Sequence, residues 1–275
     1  MEDLTISIVA YKTDPSLLKN LFDCLLNTGL GLRIFVVDNS PTDDIREICG
    51  GEKFIYIFNN RNIGYGAGHN IAIRRIIGKS KYHLVVNPDI YFEKGTLEKI
   101  FTFMEVNPSI GLLIPKVLSF DGSIYYSSKL LPKPQNLFFR RLNFMAGPFK
   151  SFVERMNSLY ELRFTGYDKI MEIPFASGCF MFIRNEVFQK VGIFDERFFM
   201  YMEDVDLTRR VHRCYRTIHF PYAIIYHKNS RGSYNDFTLF KHHISSAFKY
   251  FNKWGWFYDI ERKRINKKIL RSFPI

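Results

Sequence analysis

Short apolar strands alternate with helical segments along the first third of this 275-residue chain, and this alternation restricts the fold more than any other feature. Each strand is a run of β-branched and aromatic residues, which is typical of strands covered on both faces. The segments between them carry apolar residues at helical spacing. The pattern predicts an α/β fold with a mostly parallel, Rossmann-like sheet and helices on both faces. The strands lie at residues 6–11, 34–40, 54–60 and 83–89, and the first two helices at 15–26 and 68–78.

All four predicted strands end in polar residues. In parallel sheets of this type, ligands bind at the carboxyl ends of the strands. The sequence therefore predicts one binding site at this edge. The polar strand ends include Tyr11, Asp38, Asn60, Asn87 and Asp89.

The second half of the chain is less regular. Residues 129–169 combine prolines and aromatics without a steady period, and we interpret them as an irregular or partly helical insertion. Strand and helix signals return at 173–184 and 186–214, and the chain from 237 onward is helical, basic and aromatic. We expect one α/β domain over residues 1–236, followed by a helical C-terminal region over 237–275.

Charge and cysteine content limit the partners and the compartment. A formal net charge of +12 predicts an anionic partner, which is nucleic acid, a membrane surface or a diphosphate substrate. The four cysteines form no CxxC pair, which argues against a zinc knuckle and a disulfide framework and favours a reducing cytoplasm. The sequence shows no secretory signal and no uncharged run of roughly 18–20 residues. We expect a cytoplasmic protein that is neither exported nor membrane-spanning.

Six features in order carry a resemblance to a known family. They are VVDNS, NRNIGYGAGHN, VVNPD, ASGCFMFIR, FDERFFMYMEDVDLTRRV and the later His227. The series resembles the large inverting GT-A glycosyltransferase family two of bacteria, and within it the rhamnosyltransferase-like branch of polysaccharide assembly. It covers the chain from about Thr5 to Ser233. The resemblance implies a GT-A catalytic domain that uses a nucleotide sugar, with residues 129–169 near the acceptor side.

The resemblance implies a set of donor-binding residues. Asp38 would accept a hydrogen bond from the nucleobase or ribose, although Asp-Asn-Ser-Pro is also strong turn chemistry. The glycine-rich loop that opens the second helix offers free N–H groups to an anion, while a simple glycine-assisted turn is the alternative. The implied donor ligands are Tyr11, Asp38, Asn62, Gly64, Asn70, Asn87, Asp89 and Arg231.

Asn87-Pro88-Asp89 stands in the place of the family's DXD motif, where the second acid binds a divalent cation. The resemblance therefore implies Mg²⁺ or Mn²⁺ held by Asp89, with His227 as a second residue near the metal or the diphosphate. Such a cation neutralises the charge that develops on a leaving diphosphate. Asn87 departs from the DXD pattern, and a strand-terminating turn is the alternative interpretation.

The Glu203-Asp204 pair stands in the family's position for the general base. The resemblance implies that Asp204 takes the proton from the acceptor hydroxyl, and that Glu203 and Gly178 contact the acceptor. Acids are also favoured in the first turn of any helix, and this alternative would prevail without the surrounding motifs.

The resemblance favours transfer of L-rhamnose from dTDP-L-rhamnose to a glycan or lipid-linked acceptor in O-antigen or capsule synthesis. A UDP-hexose or galactofuranose donor is the alternative within this class. A non-catalytic nucleic-acid- or membrane-binding protein is the alternative outside it, but the chain lacks an RRM, KH or zinc signature. We expect no nucleic-acid partner, and an oligomer is compatible with the sequence. From Lys241 onward, nine Lys or Arg interleave with aromatics, which predicts docking to the inner membrane surface. Packing of these aromatics against the catalytic domain or a second subunit, with the lysines solvated, is the alternative.

Overall fold

The computed structural model describes residues 2–141, 150–228 and 237–273. Strands and helices alternate over the first half, as the sequence predicts. The first half contains β1 (Glu2–Ala10), α1 (Pro15–Leu26), β2 (Leu32–Asp38), β3 (Phe54–Phe58), α2 (Tyr65–Ile76), β4 (Ser80–Val86), β5 (Ile90–Tyr91), α3 (Thr96–Glu105), β6 (Ile110–Ser119) and β7 (Ser128–Lys129). The second half contains α4 (Pro134–Arg141), α5 (Lys150–Tyr160), β8 (Met171–Glu172), β9 (Phe175–Ala176), β10 (Phe180–Arg184), α6 (Glu186–Val191), α7 (Glu203–Val211), β11 (Arg216–His227), α8 (Phe237–Trp254) and α9 (Ile260–Arg271).

Nine strands of the described chain form one twisted sheet in the order β3-β2-β1-β4-β10-β6-β11-β5, with β8 paired to β11. β1, β2, β3 and β4 are parallel neighbours, and β6 is parallel to β11. β10 lies antiparallel between β4 and β6. The parallel half therefore collects the ends of β1, β2 and β4 at one edge, while β10 brings the loop before it to the same edge.

Local chemistry explains where the first elements begin and how the sheet is covered. Asp14 caps α1 by accepting a hydrogen bond from Ser16 N at 2.8 Å, and Pro15 occupies the first helical position. The central strand β4 is buried at six of its seven positions, which agrees with helices on both faces. The apolar core is continuous through the sheet and reaches residues of α8 and α9.

Residues 129–169 include two helices, α4 and α5, whose connection at 142–149 lies outside the described residues. β7, at the start of this segment, pairs with β9 as a separate two-stranded ribbon. Leu130 N donates to Tyr160 O at 2.9 Å, which ties the two ends of the segment together.

Candidate active site

Asp38 lies fully buried at the end of β2. Its Oδ1 accepts from Ser40 N at 2.9 Å, and its Oδ2 accepts from the Tyr56 hydroxyl at 2.7 Å. Burial, reinforced by the Asp38 carboxylate, raises the pKa of Tyr56. Tyr11 follows β1 and is half-exposed. The carboxylate thus forms the turn that is the alternative interpretation of this motif, and it bonds to Tyr56, a residue that the sequence patterns did not single out. Its contact with the donor stays a prediction.

Gly64 lies at the start of α2 with a φ of +91°. A Cβ atom at this position would lie 2.2 Å from Phe199 O, so only glycine fits. Tyr65 N donates to the same carbonyl at 2.9 Å, and the Asn62 side chain accepts from Gly64 N at 3.0 Å. The glycine loop therefore docks α2 onto the segment that precedes α7.

Asn70 is fully buried in the second turn of α2. Its Oδ1 accepts from Phe194 N at 3.0 Å, and its Nδ2 donates to Phe194 O and to Glu196 Oε1 at 2.9 and 2.8 Å. These bonds hold residues 194–196 against α2. Its contact with the donor stays a prediction, since the side chain bonds here to protein groups.

Asp89 and His227 meet at the junction of β5 and β11. His227 Nε2 lies 3.2 Å from Asp89 Oδ1 and 3.5 Å from Asn87 Nδ2, and Tyr125 packs edge-on against the imidazole. His227 Nδ1 is buried and has no hydrogen-bond partner among the described residues. A carboxylate oxygen and an imidazole nitrogen this close fit a divalent cation. The described residues contain no cluster of three or more His, Cys, Asp or Glu suited to a metal.

Asp204 lies in the first turn of α7. Its Oδ2 accepts from Gly178 N at 3.0 Å and its Oδ1 from Val205 N at 2.8 Å. Burial is the main cause that raises the pKa of Asp204. Glu203 is 4% exposed, and its Oε2 lacks a hydrogen-bond partner in the described chain. Burial, followed by the neighbouring Asp204 charge, raises the pKa of Glu203 well above its usual range.

Tyr65 joins α2 to the acidic pair through one glycine. Its hydroxyl donates to Gly178 O at 2.6 Å, while Gly178 N donates to Asp204. A Cβ on Gly178 would lie 3.3 Å from the Tyr65 ring and 3.4 Å from the Asp204 Cβ. The next residue, Cys179, accepts from Asn87 N at 3.0 Å through its carbonyl oxygen. Residues 178 and 179 therefore connect the acidic pair with the strand end that leads to Asp89.

The sequence also matches a known protein family. The family model "Glycosyl transferase family 2" matches residues 5–192, which is more than half of the chain. The chain belongs to glycosyl transferase family 2. The predicted Arg231 lies outside the described residues.

Relatives of this family 2 chain include several named transferases. The chain is 27% identical to the low-salt glycan biosynthesis hexosyltransferase Agl10 of Haloferax volcanii over 78% of this chain and 62% of that protein. It is 26% identical to the N-acetylglucosaminyl-diphospho-decaprenol L-rhamnosyltransferase of Mycobacterium tuberculosis over 88% of this chain and 82% of the relative. Rhamnosyltransferase WbbL of Escherichia coli is 25% identical over 85% and 87% of the two chains. The chain thus spans less than two thirds of the Haloferax protein.

Two solved structures share the fold of this family 2 chain. The mannosyltransferase PcManGT of Pyrobaculum calidifontis, solved with GDP-Man and Mn²⁺, superposes with a TM-score of 0.55 at 14% identity, over 84% of this chain and 58% of that one. Staphylococcus aureus TarS 1–349 superposes with a TM-score of 0.54 at 15% identity, over 82% of this chain and 60% of that one. Together with the mixed, mostly parallel sheet, these likenesses confirm the predicted GT-A fold.

Two charged residues of α7, Asp206 and Arg209, bond to residues of the C-terminal region rather than to Gly178. Asp206 is fully buried, and its Oδ1 accepts from Trp254 Nε1 at 2.8 Å and from Lys253 Nζ at 2.6 Å. Arg209 makes a bidentate pair with Asp259, with both distances 2.7 Å, and stacks on the Trp254 ring at 4.1 Å. The C-terminal helices α8 and α9 therefore stabilise the position of α7, the helix that carries Asp204.

The C-terminal aromatics divide between packing and exposure. Tyr250 and Phe251 are buried against the domain, whereas Phe257 and Tyr258 are 76% and 91% exposed. Packing against the domain, the alternative to membrane docking, therefore describes Tyr250 and Phe251 but not Phe257 and Tyr258. Among the described residues, no helix has the length and apolar character to cross a bilayer.

Proposed function

We propose that this chain is an inverting glycosyltransferase that transfers L-rhamnose from dTDP-L-rhamnose to a lipid-linked glycan acceptor. The observation that carries the proposal is the bridge at residues 178 and 179, which joins Asp204, the proposed general base, to the strand end that leads to Asp89, the proposed cation ligand. Asp204 bonds to Gly178, and Asn87 bonds to Cys179, one residue further along. A proton acceptor and a leaving-group site on opposite sides of the anomeric carbon are what an inverting displacement requires.

Asp204 would remove the proton from the acceptor hydroxyl as that oxygen forms a bond to the anomeric carbon. The bond from the anomeric carbon to the donor phosphate breaks in the same step, and the nucleoside diphosphate leaves with the electron pair. A raised pKa brings the carboxylate closer to the operating pH and makes it a better proton acceptor. Tyr65 and the Gly178 backbone hold this carboxylate in place.

Asp89 and His227 would hold Mg²⁺ or Mn²⁺, which supplies charge neutralisation at the departing diphosphate. The chemistry of this carboxylate–imidazole pair supports the proposal, as does PcManGT, which was solved with Mn²⁺. Asp89→Ala should weaken donor binding and remove its metal dependence, which calorimetry with and without EDTA measures. If the wild-type protein binds donor equally well in EDTA, the cation proposal is wrong.

The names of the relatives support rhamnose as the transferred sugar. Two of them are rhamnosyltransferases, and one of these acts on a diphospho-decaprenol acceptor. Agl10 is named a hexosyltransferase, so a UDP-hexose or galactofuranose donor is the second candidate. The setting we propose is O-antigen or capsule synthesis at the cytoplasmic face of the membrane.

Hydrolysis of a donor panel without acceptor tests the donor proposal. We expect release of free sugar from dTDP-L-rhamnose to exceed release from UDP-glucose, UDP-galactose, UDP-galactofuranose and GDP-mannose. Asp89→Ala is the matched control for background hydrolysis. A clear preference for a UDP sugar would replace rhamnose, and no hydrolysis above the control for any donor would contradict the catalytic proposal.

We also propose that the turn between α8 and α9 contacts the membrane surface. Phe257 and Tyr258 on this turn and Ile260 at the start of α9 are each more than three-quarters exposed. Basic residues flank them in α8 and α9. Removal of the whole C-terminal region would leave the buried Arg209 unpaired, so point variants are the better test. Phe257→Ser with Tyr258→Ser should reduce co-sedimentation with anionic liposomes. Unchanged binding in this double variant would contradict membrane contact at the turn.

A further inference from the structure

A cavity on α9 lies outside the site described above. It has a volume of about 430 Å³, within the usual range for ligand pockets. We call it the α9 pocket. Its walls include four cations and two apolar residues, namely Lys133, Lys263, Lys267, Arg271, Leu270 and Phe273.

Three of the cations repeat along one face of α9. Lys263, Lys267 and Arg271 are spaced four residues apart, and Lys133 joins them from the segment after β7. Like charges at this spacing repel and destabilise a helix. The described chain gives none of these cations an ion-pair partner, whereas the neighbouring Lys268 pairs with Glu172 at 3.1 Å. The charge of the α9 pocket therefore calls for an anionic ligand.

The pocket also has an apolar part, because Leu270 and Phe273 are half-buried beside the cations. A ligand that satisfies both halves is amphiphilic, with phosphate oxygens for the cations and a hydrocarbon chain for the apolar wall. Lysine binds phosphate as a compact point charge.

The α9 pocket is tied to the acceptor side of the proposed active site. The Asn266 side chain donates to Leu131 O and accepts from Leu131 N, both at 2.9 Å. Leu131 follows β7, whose Ser128 pairs with Ala176, two residues before Gly178. The five steps along the chain from Ser128 to Lys133 span at most about 18 Å. A glycan attached to a group in the pocket would extend along this segment toward Asp204.

We propose that the α9 pocket binds the diphosphate group of a lipid-linked acceptor, with the first part of the lipid chain against Leu270 and Phe273. This inference rests on the proposed function, since it names the place where the acceptor of that reaction is held. Free phosphate lacks the hydrocarbon that the apolar wall would contact.

Vesicle flotation with the full chain tests the inference. Two vesicle preparations are compared, both built on phosphatidylcholine. One contains a polyprenyl diphosphate and the other contains phosphatidylglycerol, in amounts that give the same negative surface charge. Lys263→Ala with Lys267→Ala should weaken binding to the diphosphate vesicles at least about tenfold, because each lysine would donate a charge-assisted hydrogen bond to a diphosphate oxygen. Binding to the phosphatidylglycerol vesicles should change much less.

Arg264→Ala with Lys268→Ala is the matched control, because it removes the same charge from the same helix outside the pocket. Equal losses in the two double variants, or an equal loss on both vesicle types, would overturn the inference. All four side chains are exposed, and circular dichroism confirms that each variant is folded. Binding needs no turnover, so a failed donor hydrolysis assay would count against the proposed function and not against the pocket.

Discussion

Gly64→Ala tests whether the glycine loop acts by close packing. At Gly64 the backbone has a φ of 91° and a ψ of 173°, a region that is essentially restricted to glycine. The strain of a side chain there costs about 1–3 kcal/mol. The new Cβ would also lie 2.2 Å from Phe199 O, so that backbone must move and the Tyr65 N to Phe199 O bond is lost. Overpacking adds about 1–3 kcal/mol and the hydrogen bond about 1 kcal/mol.

The sum predicts a loss of about 5 kcal/mol in the free energy of unfolding of Gly64→Ala. Gly95→Ala is the matched control, because Gly95 has a φ of +85° and an added Cβ there would have no neighbouring atom within 4 Å among the described residues. Its cost should be that of the left-handed conformation alone, about 1–2 kcal/mol. Urea unfolding followed by the fluorescence of Trp254 and Trp256 measures both variants. If the two losses agree to within about 1 kcal/mol, the close-packing argument fails.

Three further predictions concern the acidic pair and its support. Asp204→Asn should reduce transfer by about 10²–10⁴-fold in steady-state kinetics while donor affinity by calorimetry stays the same; near-normal turnover would refute the general base. Tyr65→Phe should lower kcat more than it changes KM and shift the acid limb of the pH profile, whereas an unchanged profile would limit Tyr65 to packing. The raised pKa of Glu203 means that the folded state binds its proton more tightly than the unfolded state does, so stability falls as pH rises from about 4.5 through the folded pKa. Glu203→Gln should therefore be more stable than the wild-type protein at neutral pH and equal to it in acid, as thermal unfolding at several pH values would show; a destabilised variant at neutral pH would contradict this sign.

The sequence alone determined the α/β class and the edge of the sheet where the candidate site lies. Periods of two and 3.6 residues record which faces of an element are buried, and this information is local. The turn residues after β2 and β4 are local as well, so the sequence places Asp38 and Asp89 at strand ends without any tertiary information. The order of the motifs was sufficient to predict the GT-A fold, which the solved neighbours confirm.

The tertiary structure decided how the acidic residues of α7 divide their roles. Asp204 and Asp206 are two residues apart in one acidic run, yet the first bonds to Gly178 and the second to Trp254 and Lys253. Tyr65 reaches Gly178 across 113 residues of sequence. Periodicity shows that a side chain is buried, but it does not show which distant element covers it. A carboxylate in the site and a carboxylate in a buried ion pair look the same in sequence, because only the folded chain brings their different partners within hydrogen-bonding distance.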